Sequence, residues 1–271
     1  MHSEFAHAGR TIGYLDVEGP GPSRHALLLL HAFPLAAEMW RAQLEAAPAG
    51  WRLVALDLRG FGASTPDPAS GTVSIDDYAR DALALLDHLE LPRAVVGGNS
   101  MGGYAAFGLL RLAPERVAGL VLSDTKSEAD SEAARADRAT MLETLARGGV
   151  GAVWERMQPA LLGATTRKSR PEVVERVRRL VLAQHAEGVR RAIERMTSRP
   201  DSTPLLAGIG CPTVVVVGEE DAITGVDVAR RLHERIPHAE LATIPGAGHL
   251  PALERPHEFN AVVGRFLASR F

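Results

Sequence analysis

Ser100, Asp221 and His249 stand in this chain in the order serine, acid, base, and each follows an apolar run. That set of side chains suits acyl transfer. A serine hydroxyl is a poor nucleophile near neutral pH and needs a base, and the base needs an acid to fix its tautomer and balance its cation. Ser100 lies in Val95-Val96-Gly97-Gly98-Asn99-Ser100-Met101-Gly102-Gly103, where an apolar run turns into an Ala- and Leu-rich helical pattern over residues 101–113. Gly-x-Ser-x-Gly at such a corner lifts the hydroxyl clear, because glycines at 98 and 102 leave room for crossing backbones. His249 sits in the glycine-bracketed segment Gly246-Ala247-Gly248-His249, unlike His88, His185, His233, His238 and His257, which fall in or beside helical patterns. Asp221 ends Gly218-Glu219-Glu220-Asp221; Asp124, behind another apolar run, is the competing acid. The Met101 N–H at the helix start is one donor for a developing oxyanion, and the loop His31-Ala32-Phe33-Pro34 makes the Phe33 N–H the second.

Placing these groups together requires a sheet whose strands end on one side. Apolar runs at 26–30, 51–56, 117–123 and 213–218, with the run before Ser100, predict buried strands, 240–244 predicts a further strand, and 11–17 predicts an antiparallel lead-in at one edge. Helical patterns intervene at 38–44, 74–89, 101–113, 226–235 and 259–271, the second opened by Ser74-x-x-Asp77. This alternation predicts an α/β fold, a mostly parallel twisted sheet with helices on both faces. From Lys126 to Pro204 the strand pattern stops, and helices fit at 128–146, 150–162, 171–184 and 187–196, separated by Gly148-Gly149, residues 163–170 and Gly188. The expected organisation is therefore a core of residues 1–126 and 205–271 with a helical lid of 127–204. Trp154, Met157 and Leu161, at helical spacing, and Leu250, beside the histidine, are the expected substrate-pocket residues. The charge-rich lid faces are expected to be solvated.

At 271 residues, 46% hydrophobic and 23% charged, the chain can bury one large core and is not of disordered composition. A net charge of −3 gives no field for nucleic acid, and no apolar run approaches the ~20 residues of a membrane span. Cys211 is the single cysteine, so an intramolecular disulfide and the usual thiolate metal sites are excluded. No metal or cofactor is expected. Met1-His2-Ser3-Glu4-Phe5 lacks the basic and apolar regions of a secretory signal, which predicts a cytoplasmic protein. Oligomeric state is left open by these features.

The motifs His31-Ala32-Phe33-Pro34, Asp57-Leu58-Arg59-Gly60-Phe61-Gly62-Ala63-Ser64, Gly98-Asn99-Ser100-Met101-Gly102-Gly103, Gly218-Glu219-Glu220-Asp221 and Gly246-Ala247-Gly248-His249 resemble, in order and spacing, the α/β-hydrolase superfamily. Within it the chain looks most like the 3-oxoadipate enol-lactonase-like esterases, including the tail Leu250-Pro251-Ala252-Leu253-Glu254-Arg255-Pro256. The resemblance implies a serine hydrolase of small carboxylic esters or lactones, with an acyl-enzyme on Ser100 and no cofactor. Phe33-Pro34 resembles the loop of cofactor-free haloperoxidases, which implies a secondary perhydrolase activity. The Ser100 segment also resembles that of carbon-carbon hydrolases of meta-cleavage products, which usually carry a glycine-rich oxyanion loop and a tryptophan where this chain has Leu250. Ala32 stands where the superfamily usually has glycine, which would restrict the oxyanion loop. A ligand receptor on the same fold is the alternative outside enzymology.

Overall fold

The computed structural model describes residues 2–67 and 71–271. The chain starts with a hairpin, His2–His7 (β1) and Arg10–Glu18 (β2), then alternates strands and helices. His25–Leu30 (β3), Arg41–Glu45 (α1), Trp51–Leu56 (β4), Asp76–His88 (α2), Ala94–Asn99 (β5), Met101–Leu112 (α3) and Val117–Ser123 (β6) form the first half. Four helices follow without a strand: Glu132–Leu161 (α4), Ala164–Ser169 (α5), Pro171–Leu182 (α6) and Ala186–Ser198 (α7). Thr213–Gly218 (β7), Val226–Arg235 (α8), Glu240–Ile244 (β8), Pro251–Glu254 (α9) and Pro256–Arg270 (α10) complete the chain.

The strands form one eight-stranded sheet in the order β1-β2-β4-β3-β5-β6-β7-β8. Pairing is antiparallel for β1–β2 and β2–β4 and parallel from β4 to β8. Successive strand residues point to opposite faces, so a strand buried on both sides must be apolar at every position. Leu28, Val54, Val96, Leu122 and Val215 pack on one face with Tyr78 and Leu85 of α2, Phe107 of α3 and Leu232 of α8. Leu27, Leu29, Leu53, Val95 and Val214 pack on the other with Leu44 of α1 and Phe259 and Phe266 of α10. Burial on both faces explains why the apolar runs lacked alternation.

The edge differs from the sequence expectation. β2 is not the edge, because β1 pairs outside it. Only Phe5 of β1 packs against the core, stacking on His88 at 4.4 Å, so one packed apolar side chain in six residues left no periodic signal. The helix at α2 follows its cap: the Ser74 hydroxyl accepts the Asp76 N–H at 3.2 Å, and the Asp77 carboxylate accepts the Ser74 N–H at 2.9 Å.

The inserted helices also depart in detail. α4 begins at Glu132, capped by the Ser131 hydroxyl, and bends at Gly149, whose φ of 65° and ψ of −165° break the helix where Gly148-Gly149 predicted a boundary. Gly188 does not separate helices; it lies inside α7 and meets Gly60 backbone to backbone. Most lid arginines are exposed or half-exposed as expected, but Arg191, Arg195 and Arg199 are buried. Arg195 has no exposed surface and pairs with Asp67 and Asp77. Arg199 pairs with Asp130 at 2.7 Å and lies 4.1 Å above the Tyr104 ring. Arg59, from the loop after β4, takes both oxygens of Asp81 at 2.6 Å. A polar stripe on a helix reads the same in sequence whether water or a buried carboxylate faces it. Such pairs add little net stability, but they fix the insertion's orientation, since removing one partner strands a charge.

A Cβ at residue 188 would lie 1.8 Å from the Gly60 carbonyl oxygen. Gly188→Ala is predicted to destabilise the protein by about 1–3 kcal/mol, the usual cost of overpacking. Chemical denaturation checks this, and an unchanged midpoint would show that α7 does not need this contact.

Candidate active site

Parallel strands end together, and their carboxyl ends are where side chains from distant segments converge. β3 delivers His31 to Phe33, β5 delivers Ser100, β6 delivers Asp124, β7 delivers Asp221, and the loop after β8 delivers His249.

Ser100 stands at φ 53° and ψ −111°, a strained conformation for any residue but glycine. Its N–H donates to the Ser123 carbonyl at 2.9 Å, and the Thr125 hydroxyl donates to its carbonyl at 2.8 Å. A Cβ at Gly98 would lie 2.4 Å from Gly102, and one at Gly102 would lie 2.1 Å from the Leu30 carbonyl oxygen. No other side chain fits where β5, α3 and the end of β3 cross. The Ser100 hydroxyl makes no hydrogen bond among the described residues.

His31 fixes the neighbouring loop. Its Nε2 accepts the Leu58 N–H at 3.0 Å, so Nδ1 carries the proton and donates to the Ala32 carbonyl at 2.9 Å. The Ala32 carbonyl and the Phe33 N–H share one planar peptide, so this bond also sets the direction of the Phe33 N–H. Complete burial drives His31 down to about 4, outweighing the Ala32 bond, which raises it. Ala32 is not among the residues with positive φ, so an alanine is accommodated without left-handed strain. Among the described residues no hydrogen bond engages the Phe33 N–H or the Met101 N–H at the start of α3. Both remain able to donate to an oxyanion.

His249 and Asp221 meet as the sequence order required. His249 Nδ1 lies 3.0 Å from both Asp221 oxygens. Asp221 Oδ1 also accepts the Ile223 and Thr224 N–H groups at 2.8 and 3.1 Å, and Oδ2 accepts the Thr224 hydroxyl at 2.7 Å. Burial raises the Asp221 carboxyl, but His249, Thr224 and Ile223 together hold it well below the usual carboxylate range. A carboxylate so held can fix the imidazole with Nε2 free to take a proton. Asp124, Asp221 and His249 are the described residues that could supply three metal ligands, with donor atoms within 4.8 Å of one another. Asp221's oxygens already accept protein donors, and those of Asp124 accept the Gly218 N–H and the Ser123 hydroxyl, so neither carboxylate is an open ligand.

Sequence reasoning missed the groups that hold these residues. Asn99 Nδ2 donates to the Ser123 and His249 carbonyls, both at 3.2 Å, tying the histidine loop to the residue before Ser100. Glu254, fully buried, accepts the Gly248 and Leu250 N–H groups at 3.0 and 3.1 Å and the Gly163 N–H of the helical insertion at 2.9 Å. Asp57 accepts the Ala37 and Ala63 N–H groups at 2.7 and 3.0 Å and so joins two loops rather than facing a ligand. The only local signal for Glu254 was its position in the tail after His249. Of the expected pocket residues, Trp154, Leu161 and Leu250 are buried in one apolar cluster with Ala32 and Leu35, and half-buried Met157 touches both clusters.

Comparison with known proteins matches residues 25–256 to the family described as the alpha/beta hydrolase fold. A 3-oxoadipate enol-lactonase from Acinetobacter baylyi is 29% identical over 254 residues, which are 90% of this chain and 90% of that one. A thermophilic esterase from Thermogutta terrifontis superposes with a TM-score of 0.91 at 36% identity, covering 99% of this chain and 98% of that one. The enol-lactonase from Burkholderia xenovorans gives a TM-score of 0.88 at 25% identity, covering 98% and 100%.

His31 makes stability depend on pH. Between 6.5 and about 4 the unfolded chain binds a proton that the folded His31 does not, so acid favours unfolding. Its contribution is complete above 6.5, is lost as pH falls towards about 4, and amounts to about 3 kcal/mol across that window. Denaturation at several pH values should show this slope in the parent and a flatter one in His31→Gln. Equal slopes would mean that His31 is not held neutral in the folded state.

Proposed function

The chain belongs to the alpha/beta hydrolase fold family, and from that premise we propose that it hydrolyses small carboxylic esters or lactones through an acyl-enzyme on Ser100. The observation that carries this reading is the His249–Asp221 pair at 3.0 Å, tied by Asn99 to the strained turn that presents Ser100. His249 Nε2 takes the Ser100 proton as Oγ attacks the acyl carbon, and His249 becomes a cation beside the Asp221 carboxylate. The Phe33 and Met101 N–H groups stabilise the tetrahedral oxyanion, Met101 with the help of the α3 dipole. Collapse breaks the bond to the leaving alkoxide, which takes the proton from His249. Water then attacks the acyl-enzyme by the same route and releases the acid. In a lactone the alkoxide stays on the acyl group, and ring opening completes the first half. Peroxide in place of water would release a peracid, the secondary perhydrolase reaction expected from Phe33-Pro34.

Esters or lactones are favoured as substrates by the relatives named enol-lactonase and esterase and by the apolar cluster in which Trp154, Leu161 and Leu250 pack with Ala32 of the oxyanion loop. Helices α4 to α7 act in this reading as the lid that excludes water and shapes the acyl site.

The test is steady-state hydrolysis of a panel of short esters and lactones. Multiple turnovers are expected in the parent, with a loss of roughly 10⁴- to 10⁶-fold in Ser100→Ala, as for other serine triads. Full activity in that variant, or a single covalent event without turnover in the parent, would contradict the proposal.

A further inference from the structure

Asp124 is a buried acid that the mechanism above does not use. It follows β6 at φ 46°, a left-handed conformation that aspartate tolerates better than most residues. Its carboxyl is completely enclosed: Oδ1 accepts the Gly218 N–H at 2.8 Å, and Oδ2 accepts the Ser123 hydroxyl at 2.7 Å. The other groups facing it are Asp221, from the loop after β7, and His249, from the loop after β8, with donor atoms of the three within 4.8 Å of one another. No arginine or lysine pairs with Asp124 among the described residues.

Two buried carboxylates within 4.8 Å of each other, only one of them bonded to the imidazole, stay ionised together only against desolvation and each other's charge. We propose that Asp124 and Asp221 form one carboxyl pair carrying a single negative charge, in which neutral Asp124 positions Asp221 against His249 and takes over the charge when Asp221 is neutralised. The inference rests on the triad reading above. Burial and the Asp221 charge push the Asp124 carboxyl well above the usual range against the pull of Gly218 and Ser123, while the His249 side holds Asp221 low. Environments that drive two neighbouring carboxyls apart give them different roles, and their protons belong to the pair. The proton on Asp124 can be donated to Asp221, which adds a further donor to those already fixing that carboxylate. Asp124 is thus a positioning residue, acting on substrate only through Asp221 and His249.

The pair predicts non-additivity. In Asp221→Asn the new amide can turn its oxygen to His249 and its N–H to Asp124, and with the like charge removed Asp124 can ionise and balance the imidazolium. Turnover of a short nitrophenyl ester is measured in the parent, Asp124→Asn, Asp221→Asn and the double variant. Expected losses are about 3-fold for Asp124→Asn, about 10²-fold for Asp221→Asn and about 10⁴-fold for the double, the last being the loss when a triad acid has no substitute. Asp124→Asn, itself neutral, should also leave the acid limb of the pH–rate profile in place. Equal cost of Asp124→Asn in both backgrounds, or an acid limb displaced to lower pH, overturns the pair. Should the variants not fold, infrared spectra of parent protein labelled at aspartate decide it: a protonated carboxyl at neutral pH is expected, and none overturns the pair. Retained turnover in Ser100→Ala would overturn the triad reading itself, and the pair with it.

Discussion

Ser100 is held at φ 53° and ψ −111° because three backbones cross within contact distance where β5 ends, α3 begins and β3 passes beneath. Such a conformation costs of order 1–3 kcal/mol and persists only where the surroundings leave no alternative. Here the crossing of Gly98, Gly102 and the Leu30 carbonyl supplies that constraint, and the anchors at Ser123 and Thr125 complete it. Much else in the site follows. The same turn starts α3 and so leaves the Met101 N–H free, and it sets Asn99 where it reaches the His249 carbonyl.

Around that turn, rigidity comes from buried polar side chains that satisfy backbone groups of distant segments. His31 orients the Ala32–Phe33 peptide, Asp57 joins the loops after β3 and β4, and Glu254 holds the residues flanking His249 together with the helical insertion. Buried acceptors with several N–H partners are stable in place, whereas one left unpaired costs about 1–3 kcal/mol, so these loops have few alternatives. Geometry of this kind is what lets hydrogen-bond donors wait for charge instead of reorganising around it. The buried arginines of α7 extend the same logic to the insertion, whose position relative to the core is set by Arg195 and by the Gly60–Gly188 contact.

What could be read in the sequence was whatever is encoded locally. Buried strands appeared as apolar runs, Gly98 and Gly102 marked the turn at Ser100, and Gly148-Gly149 marked the bend in α4. Asp221 and His249 were recognisable because each ends a run of its own. β1 was not, since a strand with one packed side chain has no period to detect. Asn99 and Glu254 escaped for another reason: their partners His249 and Gly163 are 150 and 91 residues away, and no spacing rule connects them. Arg195 and Arg199 were misread, unlike most lid arginines, because polarity on a helix face does not say what faces it. Asp124 was weighed as a rival to Asp221, and folding placed the two side by side.

Hydrolysis by this route requires a covalent bond to Ser100 during turnover. Acid quenching of the protein while it hydrolyses a short ester, followed by proteolysis and mass spectrometry, reads that bond directly. The predicted result is an acyl group on the peptide that contains Ser100, lost when chase buffer replaces substrate. An acyl group on another residue, or sustained hydrolysis with Ser100 never modified, would contradict it.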